Sequence, residues 1–142
     1  MFGGWLARRW SRLRGTLSGR GRELASLLGS ADAFRDRGEW LQANALYRRV
    51  VEKEPKLAPI WVQLGHTYKE AGDLANAELA YRKAIEVNQW LADAYLQLGH
   101  VLKLRGNRAE AVNNYAHALE LQPTMGAALR ELKAAGKYAL VS

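Results

Sequence analysis

Residues 63–73 read QLGHTYKEAGD, and 34 residues later positions 97–107 read QLGHVLKLRGN. Both copies spell Gln-Leu-Gly-His, with a lysine three residues on (Lys69, Lys103) and a glycine three beyond that (Gly72, Gly106). A catalytic site is needed once in a chain. A structural unit, or a surface that grips at regular intervals, is needed several times. Shifting the whole sequence by the same step extends the match: Phe34, Tyr68 and Leu102 align, as do Gly38, Gly72 and Gly106. So do Ala43, Ala77 and Ala111, then Tyr47, Tyr81 and Tyr115, while Pro55 and Pro123 align across Gln89. Between 58–91 and 92–125, 12 of 34 positions are identical.

Each residue type has a physical task. Within 58–71, Ile60, Trp61, Leu64, Tyr68 and Ala71 fall at helical spacing and form one apolar face. Gly72-Asp73 ends that helix, because glycine adopts the left-handed C-cap conformation readily. A second helix is expected over residues 74–87, with Ala77, Ala80, Tyr81, Ala84 and Ile85 on its buried side. The alanines let the paired helices approach closely, and the tyrosine fills the space beyond them. Pro55 and Pro123 cannot continue a helix, so they mark passage to the next unit. Each unit is therefore a helical hairpin. A single hairpin cannot bury both of its faces, so neighbours must stack.

This pattern resembles the tetratricopeptide repeat family, whose signature is W-x2-L-G-x2-Y followed by Ala, aromatic, Ala and Pro on the same period. WVQLGHTY at 61–68 reproduces the first half in full, and YLQLGHVL at 95–102 keeps it with Tyr for Trp and Leu for Tyr. The first unit, 24–57, departs from it: Leu27 stands at the Trp position and Ser30-Ala31 replaces Leu-Gly. The resemblance implies an all-α, right-handed solenoid of three hairpin units, 24–57, 58–91 and 92–125, within a repeat domain spanning 23–138. A capping helix is expected over 124–138, with Met125, Ala128, Leu129, Leu132 and Ala135 inward and Arg130, Glu131, Lys133 and Lys137 outside. Leu24, Leu27, Leu28, Ala31 and Phe34 make the apolar face of the first helix. Trp90 is expected to pack in the turn between units, and residues 139–142 form a tail.

Stacking explains Leu64, Gly65 and Tyr68 but not Gln63, His66 and Lys69, which fall on another side of the helix. The resemblance places that side on the concave groove. Arg35, Lys69, Lys103 and Lys137 are each one repeat apart, so a basic side chain is expected at one depth in every layer. Contacting helices sit about 8–10 Å apart, a spacing that suits an extended peptide advancing about 3.3 Å per residue. Gln63, Gln97, His66 and His100 can donate to and accept from a peptide backbone, and the lysines would favour an acidic ligand. The alternative is duplicated surface, copied along with the repeat. Some members of the family hold a peptide's C-terminal carboxylate with a Lys/Asn/Arg clamp. The matching positions here carry Leu28, Asp32, Gln63, Asp93 and Gln97, so that clamp is absent and chaperone-tail binding is not expected. The repeats are also similar to those attached to O-linked N-acetylglucosamine transferases and related bacterial glycosyltransferases, where Asn flanks the Leu-Gly pair and holds peptide backbone. Gln63/His66 and Gln97/His100 occupy those places.

The totals agree with a binding module. A length of 142 with 49% hydrophobic residues fits one domain, and no apolar run reaches the roughly 18–20 residues that span a bilayer. There is no cysteine, and His66, His100 and His117 are too few and too separated for a zinc site. No nucleophile elbow, phosphate loop or metalloprotease motif occurs, so neither catalysis nor a cofactor is expected. The net charge of +7 divides unevenly: residues 1–22 hold six arginines and no acid, leaving 15 bases and 14 acids elsewhere. A near-neutral body argues against nucleic acid as a partner.

The basic arm, residues 1–22, is the other unusual segment. Read as a helix it sets Trp5 and Trp10 on an apolar arc with Arg8 and Arg12 outside, while Arg9 interrupts the arc. Contact with an anionic membrane surface is one reading of Trp5, Arg8, Arg9, Trp10 and Arg12. An organelle transit peptide, a partner or nucleic-acid contact and a disordered tail are others. Gly15, Gly19 and Gly21 are expected to make a flexible joint. The expected location is cytoplasmic, with peripheral attachment to the inner membrane if the arm binds lipid. The expected function is capture of an extended peptide from another protein. The alternatives are a membrane-surface adaptor and an accessory module of a glycosyltransferase system.

Overall fold

Two glycines decide how closely the helices pair. A Cβ on Gly65 would lie 2.5 Å from Cε1 of Tyr81, and one on Gly99 would lie 2.6 Å from Cε1 of Tyr115. Each tyrosine ring therefore rests on bare backbone of the facing helix, and both rings are buried. In the first unit Ala31 stands at the same place and is itself fully buried beside Tyr47.

The computed structural model describes residues 19–136. Among them are seven helices and no strand: α1 (Gly19–Asp36), α2 (Trp40–Lys53), α3 (Ala58–Glu70), α4 (Leu74–Val87), α5 (Ala92–Leu104), α6 (Arg108–Leu121) and α7 (Gly126–Ala134). Each helix packs on its neighbours in sequence, and α3 also meets α5. The pairs α1–α2, α3–α4 and α5–α6 are the three hairpins, stacked as a right-handed solenoid and closed by α7.

The punctuation follows the period. Gly38, Gly72 and Gly106 close the first helix of each hairpin with φ of 73°, 85° and 89°, the left-handed region that glycine enters without a Cβ penalty. Asp73 and Asn107 then cap the second helix by accepting from the Asn76 and Glu110 backbone N–H groups. The aromatic at the fourth position of the second and third units ties each to the preceding turn. Trp61 Nε1 donates to the Pro55 carbonyl at 2.8 Å, and the Tyr95 hydroxyl donates to the Gln89 carbonyl at 2.9 Å. That shared bond is why Tyr can replace Trp there.

The core runs lengthwise as two clusters. One joins the first and second units through Leu28, Ala31, Tyr47, Ile60 and Leu64; the other joins the second, third and capping layers through Tyr81, Leu98, Tyr115, Ala128 and Leu132. Trp61 and Tyr68 pack against both. The buried Thr67 hydroxyl donates to the Leu64 carbonyl and accepts from Asn44, so its polarity is satisfied.

Several end details differ from expectation. Gly19 and Gly21 are helical residues of α1, and Gly21 is buried, so these two glycines continue the first helix where a joint was expected. The capping helix is shorter than 124–138, and Ala135 is exposed because Gly136, at φ 74°, has already turned the chain. Trp90 is 71% exposed and does not fill the turn; Tyr95 makes the bond that fixes that turn. The arm residues Trp5, Arg8, Arg9, Trp10 and Arg12, together with Lys137 and the tail, lie outside the described residues.

Gly65→Leu drives a branched side chain into the Tyr81 ring and is expected to cost about 3 kcal/mol or more of unfolding free energy. Urea denaturation followed by circular dichroism measures it, and a loss under about 1 kcal/mol would contradict this packing.

Candidate functional site

Four helices converge on one cavity of about 370 Å³. α1 contributes Arg35 and Asp36, α2 contributes Trp40, α3 contributes Val62, Gln63 and His66, and α5 contributes Asp93 and Gln97. Of the residues singled out from the repeat, Arg35, Gln63, His66 and Gln97 are thus brought together from three successive units.

The basic rungs are not equivalent. Arg35 is engaged on all sides: Nη1 donates to Asp32 Oδ1 (3.0 Å), to the Tyr47 hydroxyl (3.0 Å) and to Gln63 Oε1 (3.1 Å). Its Nη2 and Nε donate to Asp36 Oδ1 at 2.8 and 3.1 Å. The Tyr47 hydroxyl donates to Asp32 Oδ1 at 2.5 Å. This knot ties α1 to α2 and α3. Removing one partner of such a buried pair costs on the order of 3 kcal/mol, so Arg35 is first a clasp. Burial raises the Asp32 pKa above its usual value, against the lowering effects of the Tyr47 bond and the Arg35 charge. Lys103 donates to Glu131 on α7 at 2.7 Å, a partly exposed pair worth about 0–1 kcal/mol. It borders a second cavity of about 460 Å³ with Tyr115 and Arg108. Glu131, expected on the outer side of the cap, points to Lys103 instead. Lys69 has no ion pair among the described residues. Its charge acts on His66, His100 and Asp93.

The histidines differ too. His100 Nδ1 lies 2.9 Å from the Tyr115 hydroxyl. His66 stands one repeat earlier, yet it meets the Trp40 ring edge-on at 5.4 Å between centroids. The Tyr81 hydroxyl, which corresponds to that of Tyr115, is buried without a hydrogen-bond partner among the described residues. Trp40 and the carboxylates of Asp36 and Asp93 were not among the residues picked out from the repeat. Trp40 aligns with Leu74 and Arg108, so a search for recurring residues passes over it. Its signal was the presence of a large aromatic at a position where the other units carry none.

Among the described residues no group of histidines, cysteines and carboxylates could hold a metal ion, and no helix is long and apolar enough to cross a membrane.

The arrangement defines a class: a helical-repeat protein whose successive layers share a polar cavity. Tetratricopeptide repeat models match residues 25–56, 58–89 and 92–125, and the chain belongs to the tetratricopeptide repeat family. No curated protein matches the sequence. Among solved structures, the chain is similar to the first such domain of Spaghetti (RPAP3) bound to an HSP90 peptide, at 22% identity and TM-score 0.77, covering 85% of this chain and 95% of that one. It is similar to a mutant O-GlcNAc transferase of Thermobaculum terrenum at 25% identity and TM-score 0.75, covering 88% of this chain and 24% of that one. The Yersinia enterocolitica secretion chaperone SycD, in complex with a YopD peptide, is similar at 17% identity and TM-score 0.76, with 80% and 92% covered.

Burial, the largest influence, lowers the pKa values of His66 and His100 below the usual 6.5; Lys69 adds to the effect at His66, while Glu131 opposes it at His100. As pH falls through 6.5 the unfolded chain takes up these protons first, so the stability contribution is full above that pH and is lost below it. Raised carboxylate pKa values at Asp32 and Asp93 act in the opposite sense at lower pH. A proton NMR titration is expected to give His66 and His100 midpoints below 6.5; higher midpoints would contradict their burial.

Proposed function

We propose that the chain is a non-catalytic interaction module that holds an extended segment of another protein along its inner wall. The observation that carries this is the convergence of Gln63, His66, Asp93 and Gln97 from two successive units on one cavity. The available polar atoms suit a peptide backbone. The Gln97 carbonyl and the Gln63 amide nitrogen make no hydrogen bond among the described residues. His66, neutral near pH 7, presents both a donor and an acceptor, and His100 presents the ring nitrogen that Tyr115 does not engage. Among the described rungs Lys69 is the one left to favour an acidic side chain on the ligand, since Arg35 and Lys103 are paired. Peptides held by the similar Spaghetti and SycD domains support this use of the fold. A second reading, an accessory array for a glycosyltransferase, rests on the likeness to the Thermobaculum transferase, of which the chain matches 24%.

Peptides selected from a random library against the purified chain supply the probe. His66→Ala combined with Gln97→Ala is expected to weaken their binding about tenfold, the loss of one or two buried hydrogen bonds, with helical circular dichroism unchanged. Equal affinity for the variant and the original chain would reject the inner wall as the binding face.

A further inference from the structure

The cavity holds more negative charge than its ladder of basic residues suggests. Asp32, Asp36, Glu70 and Asp93 stand in or beside it against two cations, Arg35 and Lys69. Arg35 is already spent on Asp32 and Asp36. Asp93 receives one side-chain hydrogen bond, a long one of 3.4 Å from Gln97. Burial raises its pKa against that bond and the neighbouring positive charges, so it is a carboxylate short of donors.

A second observation is independent of the carboxylates. Tyr81 is 0% exposed and its hydroxyl has no partner among the described residues. The hydroxyls of Tyr47 and Tyr115, one repeat away on either side, bond Asp32 and His100. In the second unit the corresponding bond is unmade among the described residues, and His66 meets the half-buried Trp40 ring. The site thus combines an underused carboxylate, a second carboxylate at the rim and an aromatic face. A guanidinium fits that set: it is planar, offers five donors and no acceptor, and stacks on aromatic rings.

We propose that this cavity seats an arginine of the chain's own N-terminal arm, so that the groove is occupied by residues 1–18 until a partner displaces them. The arm holds Arg8, Arg9, Arg12 and Arg14, with no acidic residue and no lysine. Its charge is therefore opposite to that of the cavity, and each of its side-chain cations is a guanidinium. Its reach is sufficient. The cavity lies at the Arg35–Asp36 end of α1, and the 18 residues of that helix span about 27 Å. The ten steps from Gly19 back to Arg9 extend to about 33 Å. The inference rests on the groove reading above and names the first segment the groove takes.

The test uses the full chain with Arg8→Glu, Arg9→Glu, Arg12→Glu and Arg14→Glu as receptor, which leaves the cavity free of its own arm. The probe is a fluorescent peptide of residues 1–18, followed by anisotropy. Saturable binding is expected, tightening as salt is lowered. Asp36→Asn with Asp93→Asn in the receptor is expected to weaken it roughly tenfold or more, with an unchanged circular dichroism spectrum. A probe with glutamate at the four arginine positions is expected not to bind. Absence of saturable binding would overturn the inference, as would equal affinity for the Asn receptor. So would uptake of the probe by phosphatidylserine-containing vesicles with none by the receptor. If peptides selected from the library still bind the inner wall in those cases, only the arm's occupancy falls and the groove reading stands.

Discussion

A tyrosine ring lying on glycine backbone is the contact on which the rest of the structure depends. At Tyr81 over Gly65 and at Tyr115 over Gly99 no Cβ can intervene, so the two helices of the second and third hairpins close until the ring is enclosed. Each hairpin thereby carries one buried tyrosine at the same register, with its phenolic oxygen in need of a polar partner. What meets that oxygen differs from layer to layer: Asp32 in the first and His100 in the third, with no partner in the second. One repeated tyrosine thus sits in three polar environments, and the middle hydroxyl is buried without a partner among the described residues.

The repeat was legible because its signals are local and recur. Gly72 and Gly106 stop helices, Ala77 and Ala111 permit close approach, and Tyr81 and Tyr115 fill the gap, each at a fixed distance from the others. Helix pairing, the number of hairpins and the inward stripe of the cap follow from those residues. The ends were less legible. Gly19 and Gly21 suggest a joint by composition, yet packing of Gly21 and Leu24 carries α1 through them. Trp90 suggests burial by type, yet Tyr95 already holds the turn it was expected to fill.

The site was legible as a list of positions and not as a charge balance. Alignment by repeat places Arg35, Lys69 and Lys103 at one depth, but it does not show what each side chain meets in the next layer. Asp36 recurs only once, as Glu70 after Lys69, and Glu131 belongs to the cap, so neither carboxylate accompanies its cation through every layer. Trp40 escaped for the same reason: it is a departure from the repeat, and departures mark where one layer acquires chemistry the others lack. Duplication therefore builds the wall, and substitution at single positions gives it a pocket.

Polar residues with internal partners and polar residues with few or none among the described residues sit in neighbouring layers of the array. Arg35 and Thr67 are saturated by internal partners, whereas Gln97, Asp93 and Tyr81 are not. The most direct measurement is nuclear Overhauser spectroscopy on the full chain. Close contacts between the Tyr81 ring and Gly65 α-protons, together with ring-to-ring contacts between Trp40 and His66, are the result this account requires. Tyr81 ring protons without a Gly65 contact, or Trp40 far from His66, would contradict it.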